Sequence, residues 1–323
     1  MYYYILPKNN SKLEVSFFYG DNCKDPIISH TLIHSLNKMN THIQKYNKND
    51  IHEIFKIINV SEYNFTNVSD IAFLSDIENN NQTYYELYEI IVSHSICINS
   101  SHINTGLHML YVSNHLQIKP NHRKNMTNVI SFNNMELSSD SYDFMFFDCS
   151  DDDNNIQINN LIITLYYICM CQNKYGTTII KINTTYHKQI IDILYIFSNL
   201  FDKVCLIKTM LTSVLNNEKY ILCKKYTCEN ASEYISIIKP IAINILNTPT
   251  ISLNISSILN NPIPNIFLNK IEEFNAIYGQ QQLELYDQII NILNNKNKND
   301  KLELLKKGNI QKYELWHEKM IVL

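Results

Sequence analysis

"GTTIIKINTTYHKQIIDILYIFSNLFDKVCLIKTMLTSVLNNEKYILCKKY", residues 176–226, is the stretch whose reading decides the fold. It divides into four pieces. "GTTIIKIN" is an almost wholly apolar run of strand length, and "YHKQIIDILYIFSNLF" carries apolar residues at helical spacing. "DKVCLIKT" and "EKYILCKKYT" are two further strands. Only the short loop "MLTSVLNN" joins them, with no room for a crossover helix. Two strands joined that way must run antiparallel. The segment therefore predicts strand, helix, then a terminal antiparallel hairpin at the edge of a sheet.

The same alternation extends upstream. "SDIAFLS" (69–75), "SICINS" (95–100), "TNVISF" (127–132) and "SYDFMFFDCS" (141–150) read as strands. "QTYYELYEIIVSH" and "INNLIITLYYICMCQNK" read as helices between them, and "TGLHMLYVSNHLQ" as a loop or short helix. Strands alternating with helices predict an α/β fold with a mostly parallel, doubly wound, Rossmann-like sheet. Before it, "PIISHTLIHSLNKMNTHIQKY" and "DIHEIFKIINV" predict a helical N-terminal segment, 1–60. The sheet domain is expected over 61–230 and a helical C-terminal extension over 231–323.

Composition narrows the function classes. The chain has 323 residues, 45% hydrophobic, enough for a full core. With a formal net charge of -4, no global electrostatic drive leads it to nucleic acid. The basic stretches "KPNHRKNMTN" and "NKNKNDKLELLKK" read as solvated loops. The 8 cysteines contain no CxxC pair and the 11 histidines no HExxH, so no metal site is expected and the thiols read as buried and reduced. "NNLIITLYYICMC" is too short to span a bilayer, and "MYYYILPKNNSK" has no signal-peptide core, so a cytoplasmic protein is expected. Only 5 glycines against abundant Asn, Ile, Tyr and Lys point to an AT-rich genome.

Three ionisable residues stand where strands end. Asp148 closes "FMFFDCS", Lys181 interrupts "GTTIIKI", and Glu218 precedes "KYILC". Ligands of open α/β sheets bind outside the carboxyl ends of the strands. A lysine in an apolar strand is costly unless paired, and the two carboxylates offer that pairing, whether structural or catalytic. The acids at 151–153 read as a solvated loop, and Trp316 and the Tyr-rich start as packing residues.

With these residues in place, the chain resembles the FtsJ-like RNA ribose 2′-O-methyltransferases, most of all the divergent type of large cytoplasmic DNA viruses. The resemblance covers 141–226 well and 50–140 weakly. It rests on the Gly-x-x-hydrophobic-hydrophobic-Lys strand, the strand ending in Lys, the Ser/Thr-rich loop and "NEKYILCKKY". It implies an S-adenosylmethionine (SAM)-dependent methyltransferase fold, whose parallel sheet ends in a reversed strand. It also implies a Lys-Asp-Lys-Glu tetrad: Lys56, Asp148, Lys181 and Glu218, with Lys38 the alternative for the first lysine. Lys181 would be general base, its charge disfavoured by desolvation and by Lys56, with the carboxylates orienting the amines. Capped mRNA is the implied substrate, a partner subunit is an implied possibility, and the cytoplasm, a viral factory or the virion is the implied location.

The resemblance departs at the cofactor. The family's acid-x-Pro-Gly-Gly loop aligns with Asp76, Glu78, Asn79 and Asn80, and no glycine is present there. Asn tolerates the left-handed backbone best among non-glycine residues, but its side chain crowds the methionine part of SAM. Asn133 or Asn134 occupies the place of the acid that approaches adenine. Two readings follow: an active RNA 2′-O-methyltransferase with a degenerate SAM loop, or a catalytically inactive methyltransferase-fold subunit that binds RNA or serves as a scaffold.

Overall fold

A computed structural model describes residues 2–20, 25–58, 82–96, 101–105, 112, 122–126, 141–248, 253–294 and 299–322. They form two compact units interleaved along the chain. The first contains Met1–Ile28, Ile96–Lys208 and Glu218–Phe274, the second Ser29–Ser95, Thr209–Asn217 and Asn275–Leu323.

The first unit is built on a sheet whose described strands are β1 (Tyr2–Ile5), β3 (Ser101–Thr105), β4 (His122–Met126), β5 (Tyr142–Asp148), β6 (Gln172–Ile182), β7 (Phe201–Lys208) and β8 (Lys219–Tyr226). A separate pair, β2 (Val15–Tyr19) and β9 (Ile255–Leu259), is antiparallel. The large sheet is ordered β1-β7-β8-β6-β5-β3-β4. Strands β4, β3, β5 and β6 run parallel. Strand β8 runs antiparallel to both β6 and β7. The mixed α/β class is as expected, and so is a reversed strand, β8, closing the hairpin after β7.

The hairpin's position differs from the edge placement expected. β8 lies inside the sheet between β6 and β7, and β1 caps the edge beyond β7. Loop length dictates only that the two strands pair, not which one lies inside. The centre of β8, "YILC", is fully buried, which suits a strand flanked on both sides. The helical expectation for the first sixty residues is corrected at β1 and β2, and that for the C-terminal extension at β9. These strands are only four or five residues long and find their partners far along the chain. β4, "HRKNM", lies in a stretch expected to be a loop. Its pairing with β3 is a backbone matter that a basic, polar run does not announce, and charged residues suit a strand with only one described neighbour. The strands expected at 69–75 and 127–132 lie outside the described residues.

Among the described residues, the first unit holds α4 (Asn154–Cys171), α5 (Lys188–Leu200), α6 (Ala231–Asn247) and the start of α7 (Asn265–Asn294). In α4 the acid run ends in a cap, as the Asp153 carboxylate accepts the Asn155 N–H at 2.8 Å. Leu161, Ile162 and Ile163 are all fully buried, so α4 is enclosed all round rather than amphipathic. Each such side chain contributes about 1.5–3 kcal/mol by leaving water. Buried Asp192 in α5 accepts from the Ile258 N–H at 2.9 Å and the Ser257 hydroxyl at 2.8 Å, and pairs with Lys188. That fastens the small sheet to α5.

The second unit is helical. It contains α1 (His30–Ile43), α2 (Lys48–Ile58), α3 (Gln82–Ser93), α8 (Asn299–Val322) and the part of α7 (Asn265–Asn294) beyond Phe274. Ile43, Ile54, Ile289, Ile290, Ile292 and Leu293 form its core. A side chain at Gly279 would collide with Leu32, so glycine lets α1 and α7 approach. Fully buried Glu89 of α3 accepts the Met210 N–H and the Trp316 indole N–H at 3.1 and 3.0 Å. Trp316 is therefore a packing residue, as expected.

Candidate functional site

Asp148 ends β5 and Lys181 stands beside it in β6, paired in register. In a parallel ladder, register partners project to the same face. Lys181 is also paired with Tyr220 of β8. Glu218 stands two residues before Tyr220 and so shares its face by alternation. The three expected side chains are thus directed to one face, at the carboxyl ends of β5 and β6. The Lys181 ammonium meets the Glu218 carboxylate at 2.9 Å. Lys181 is 4% exposed, and the Glu218 side chain 24%.

Neighbouring groups hold this rim in place. The ladder continues past Asp148, with the Cys149 N–H donating to the Lys181 carbonyl at 2.9 Å. Asp148 Oδ1 accepts the Ser150 N–H at 3.0 Å and the Ser150 hydroxyl at 2.5 Å, which fixes the carboxylate over its own turn. Gln157 of α4 accepts the N–H groups of Asn183 and Thr184 at 2.7 and 3.3 Å, pinning the chain as it leaves β6. These supports escaped the sequence reading, because Ser150 and Gln157 carry no spacing signal of their own.

Cys149, next to the acid, is not a nucleophile in waiting. It is fully buried, and burial pushes its thiol well above the ordinary range against a 3.2 Å contact with the Thr164 hydroxyl. The acids that follow serve the turn. Asp151 accepts the Asp153 N–H at 2.8 Å, and Asp153 caps α4. Among the described residues no group of three metal-ligating side chains could hold a metal ion.

Lys56 lies on α2, in the second unit, and its side chain is outside the described residues. Lys38, the alternative, lies on α1 of the same unit. The expected cofactor positions Asp76, Glu78, Asn79, Asn80, Asn133 and Asn134 lie outside the described residues. The geometry on hand is the Asp148–Lys181–Glu218 end of the expected site. A buried amine held by one carboxylate, with a second carboxylate on the same face, can position a hydroxyl group and exchange a proton with it.

No family model matches the chain, and no curated protein matches it. Among solved structures, it is similar to an S-adenosylmethionine-dependent methyltransferase from Clostridium acetobutylicum ATCC 824. Identity is 10%, the match covers 55% of this chain and 87% of that one, and the TM-score is 0.21. So distant a likeness carries no argument about fold or activity. The strand order by itself shows a mixed α/β protein whose central sheet has a parallel run, β4-β3-β5-β6, followed by the antiparallel strand β8. No described helix is long and apolar enough to cross a membrane.

Proposed function

We propose that this chain is an FtsJ-like, SAM-dependent methyltransferase acting on the ribose 2′-oxygen of RNA, with the mRNA cap as its target. The observation that carries the reading is the buried Lys181–Glu218 pair, with Asp148 in register beside it at the strand ends. The donor set fits the substrate end of such a site: one amine to receive a proton and two acids to orient it. SAM, when bound, supplies an electrophilic methyl group. Lys181 Nζ receives the proton of the attacking 2′-hydroxyl, so the amine must enter the reaction unprotonated. Glu218 fixes Nζ, and Asp148 orients the same corner from β5. Lys56 completes the proposed tetrad, and Asp76, Glu78, Asn79, Asn80, Asn133 and Asn134 are the proposed cofactor contacts. Alignment of hydroxyl and methyl is the larger contribution, about 7–11 kcal/mol in well-oriented systems.

The glycine-free sequence at 76–81 favours a second reading: a methyltransferase-fold subunit without SAM binding, serving as an RNA-binding or scaffold protein. Calorimetry with SAM separates the two. The enzyme reading predicts saturable binding and labelled methyl transfer to capped RNA that Lys181→Ala removes. No heat and no thermal shift at millimolar SAM leaves only the second. Cytoplasmic location, at a viral factory or in a virion, follows the same proposal, as does a partner subunit.

A further inference from the structure

Helix α1 of the second unit carries a line of basic side chains along a surface cleft. Between Asp25 and Asp50 the sequence has no acid, yet it has His30, His34, Lys38, His42, Lys45 and Lys48. All six are exposed. Lys38, Thr41, His42 and Lys45 follow at the spacing i, i+3, i+4 and i+7, which keeps residues on one helix face. With Met39 they line a cleft of about 510 Å³. Met39 also packs against the buried cluster of Ile43 and Ile289, so the cleft rests on the core of the unit. Among the described residues none of Lys38, His42 and Lys45 pairs with a carboxylate. Elsewhere surface lysines are answered by acids, as Lys270 is by Glu273 at 2.6 Å and Lys225 by Asp202 at 3.8 Å. The whole chain holds 31 acids against 27 Lys and Arg, so the acid-free basic helix is a local feature and not the background.

The length of the line narrows the ligand. At 1.5 Å per residue, His30 to Lys45 spans about 22 Å, far longer than one phosphate group. Cations strung over that distance match a polyanion with repeated phosphates. Lysine offers a point charge and three N–H donors, which suits phosphate oxygens. Histidine adds a flat ring between the ammonium groups, on which an unpaired base can stack. The His42 ring stands beside Tyr46, with centroids 5.9 Å apart, and the Tyr46 hydroxyl donates to Asn294 Oδ1 at 2.8 Å. A duplex hides its base faces, so exposed rings favour a single strand. A helix that lies on a membrane presents large apolar side chains to it. α1 exposes none: Leu32, Ile33, Leu36 and Met39 are half-buried and Ile43 is buried.

We propose that the exposed face of α1, from His30 to Lys45, is a docking surface for a single-stranded polynucleotide. Lys38 and Lys45 take phosphates of its backbone, and His42 stacks on a base. The proposal rests on this helix alone and holds whether or not the chain transfers methyl groups.

The test is fluorescence anisotropy on the full chain, between 50 and 200 mM salt, with a labelled twelve-nucleotide oligouridylate and an oligothymidylate of the same length. Saturable binding that weakens with salt is expected. Binding of the first strand alone assigns the surface to RNA, of the second alone to DNA, and of both to backbone and bases without the 2′-hydroxyl. Lys38→Gln with Lys45→Gln should weaken binding about tenfold and flatten the logarithmic salt slope by about 1.4, at about 0.7 for each phosphate no longer neutralised. Lys306→Gln with Lys307→Gln removes the same charge from exposed positions of α8 and should leave both unchanged. His42→Ala should lose about fivefold, which His42→Phe restores. A readout on the parent protein needs no variant: the bound strand should protect Lys38 and Lys45 from acetylation, read by mass spectrometry. The proposal is overturned by no binding, by parental affinity in the α1 double variant or in His42→Ala, or by an equal loss in the α8 control. Tighter binding to a duplex of the same length overturns it too, as does binding only to vesicles of phosphatidylserine and phosphatidylcholine.

Discussion

Asp148 and Lys181 stand in register at the carboxyl ends of neighbouring parallel strands, and the residue after Asp148 donates its N–H to the Lys181 carbonyl at 2.9 Å. The acid and the amine are therefore placed by backbone hydrogen bonds. A side-chain replacement at either position should remove chemistry and leave the sheet intact.

Lys181→Met is expected to keep the folded circular-dichroism spectrum and to lower methyl transfer to capped RNA by about 10²–10⁴-fold, the range for losing a general base. Transfer at the parental rate would refute the assignment of Lys181.

Glu218→Gln removes the carboxylate that the buried Lys181 ammonium meets at 2.9 Å. Breaking a buried pair costs about 3–5 kcal/mol, and the partial exposure of Glu218 brings the expectation to about 2 kcal/mol. Urea unfolding should show it as a lower midpoint with an unchanged slope. An unaltered midpoint would mean that the pair contributes nothing to folding.

Asn79→Gly with Asn80→Gly should tighten SAM binding about tenfold if 76–81 is the cofactor loop, because glycine removes the side chains that crowd the ligand. Calorimetry on the double variant decides it, and equal or weaker binding moves the cofactor loop elsewhere.

Lys219 makes stability depend on pH with a defined sign. Below about 7 both folded and unfolded chains hold its proton, and the folded chain bears the full burial penalty. Between about 7 and the ordinary lysine value of 10.5 the unfolded chain binds the proton that the folded chain has released. Its contribution therefore makes the protein more stable as pH rises through that window. Comparing denaturant midpoints from pH 7 to 10 for wild type and Lys219→Met isolates the slope, which the variant should lack.

Trp316→Phe removes one of the donors to buried Glu89. The expected loss is about 1–3 kcal/mol, the penalty of leaving a buried acceptor underbonded. Trp316 fluorescence in the parent reports the same unfolding event, and an unchanged melting temperature in the variant would show that the indole bond is dispensable.

The run from "SYDFMFFD" to "EKYILCKKY" was legible because buried parallel strands read as continuous apolar runs between clear helices. Lys181 and Glu218 were legible for the reverse reason, as charges placed where apolar residues belong. β4 was not, since its residues lack the apolar signature by which strands are found. The insertion of β8 between β6 and β7 was hidden because connectivity says nothing about which member of a hairpin turns inward. Lys219 escaped notice beside Glu218. One step along a strand reverses the face, and only the placed neighbours Lys208, Tyr186 and Phe274 reveal what it meets.

The pairing of β1 with β7 has a consequence for the order of assembly. Tyr2–Ile5 are made some two hundred residues before their partner residues, Cys205–Lys208. Throughout that interval a tyrosine-rich strand has no hydrogen-bonding mate, the kind of exposed edge that invites misassociation. The β1–β7 seam of the large sheet can thus close only after β7 is made, and a nascent chain stalled before residue 201 should be a species that chaperones hold long.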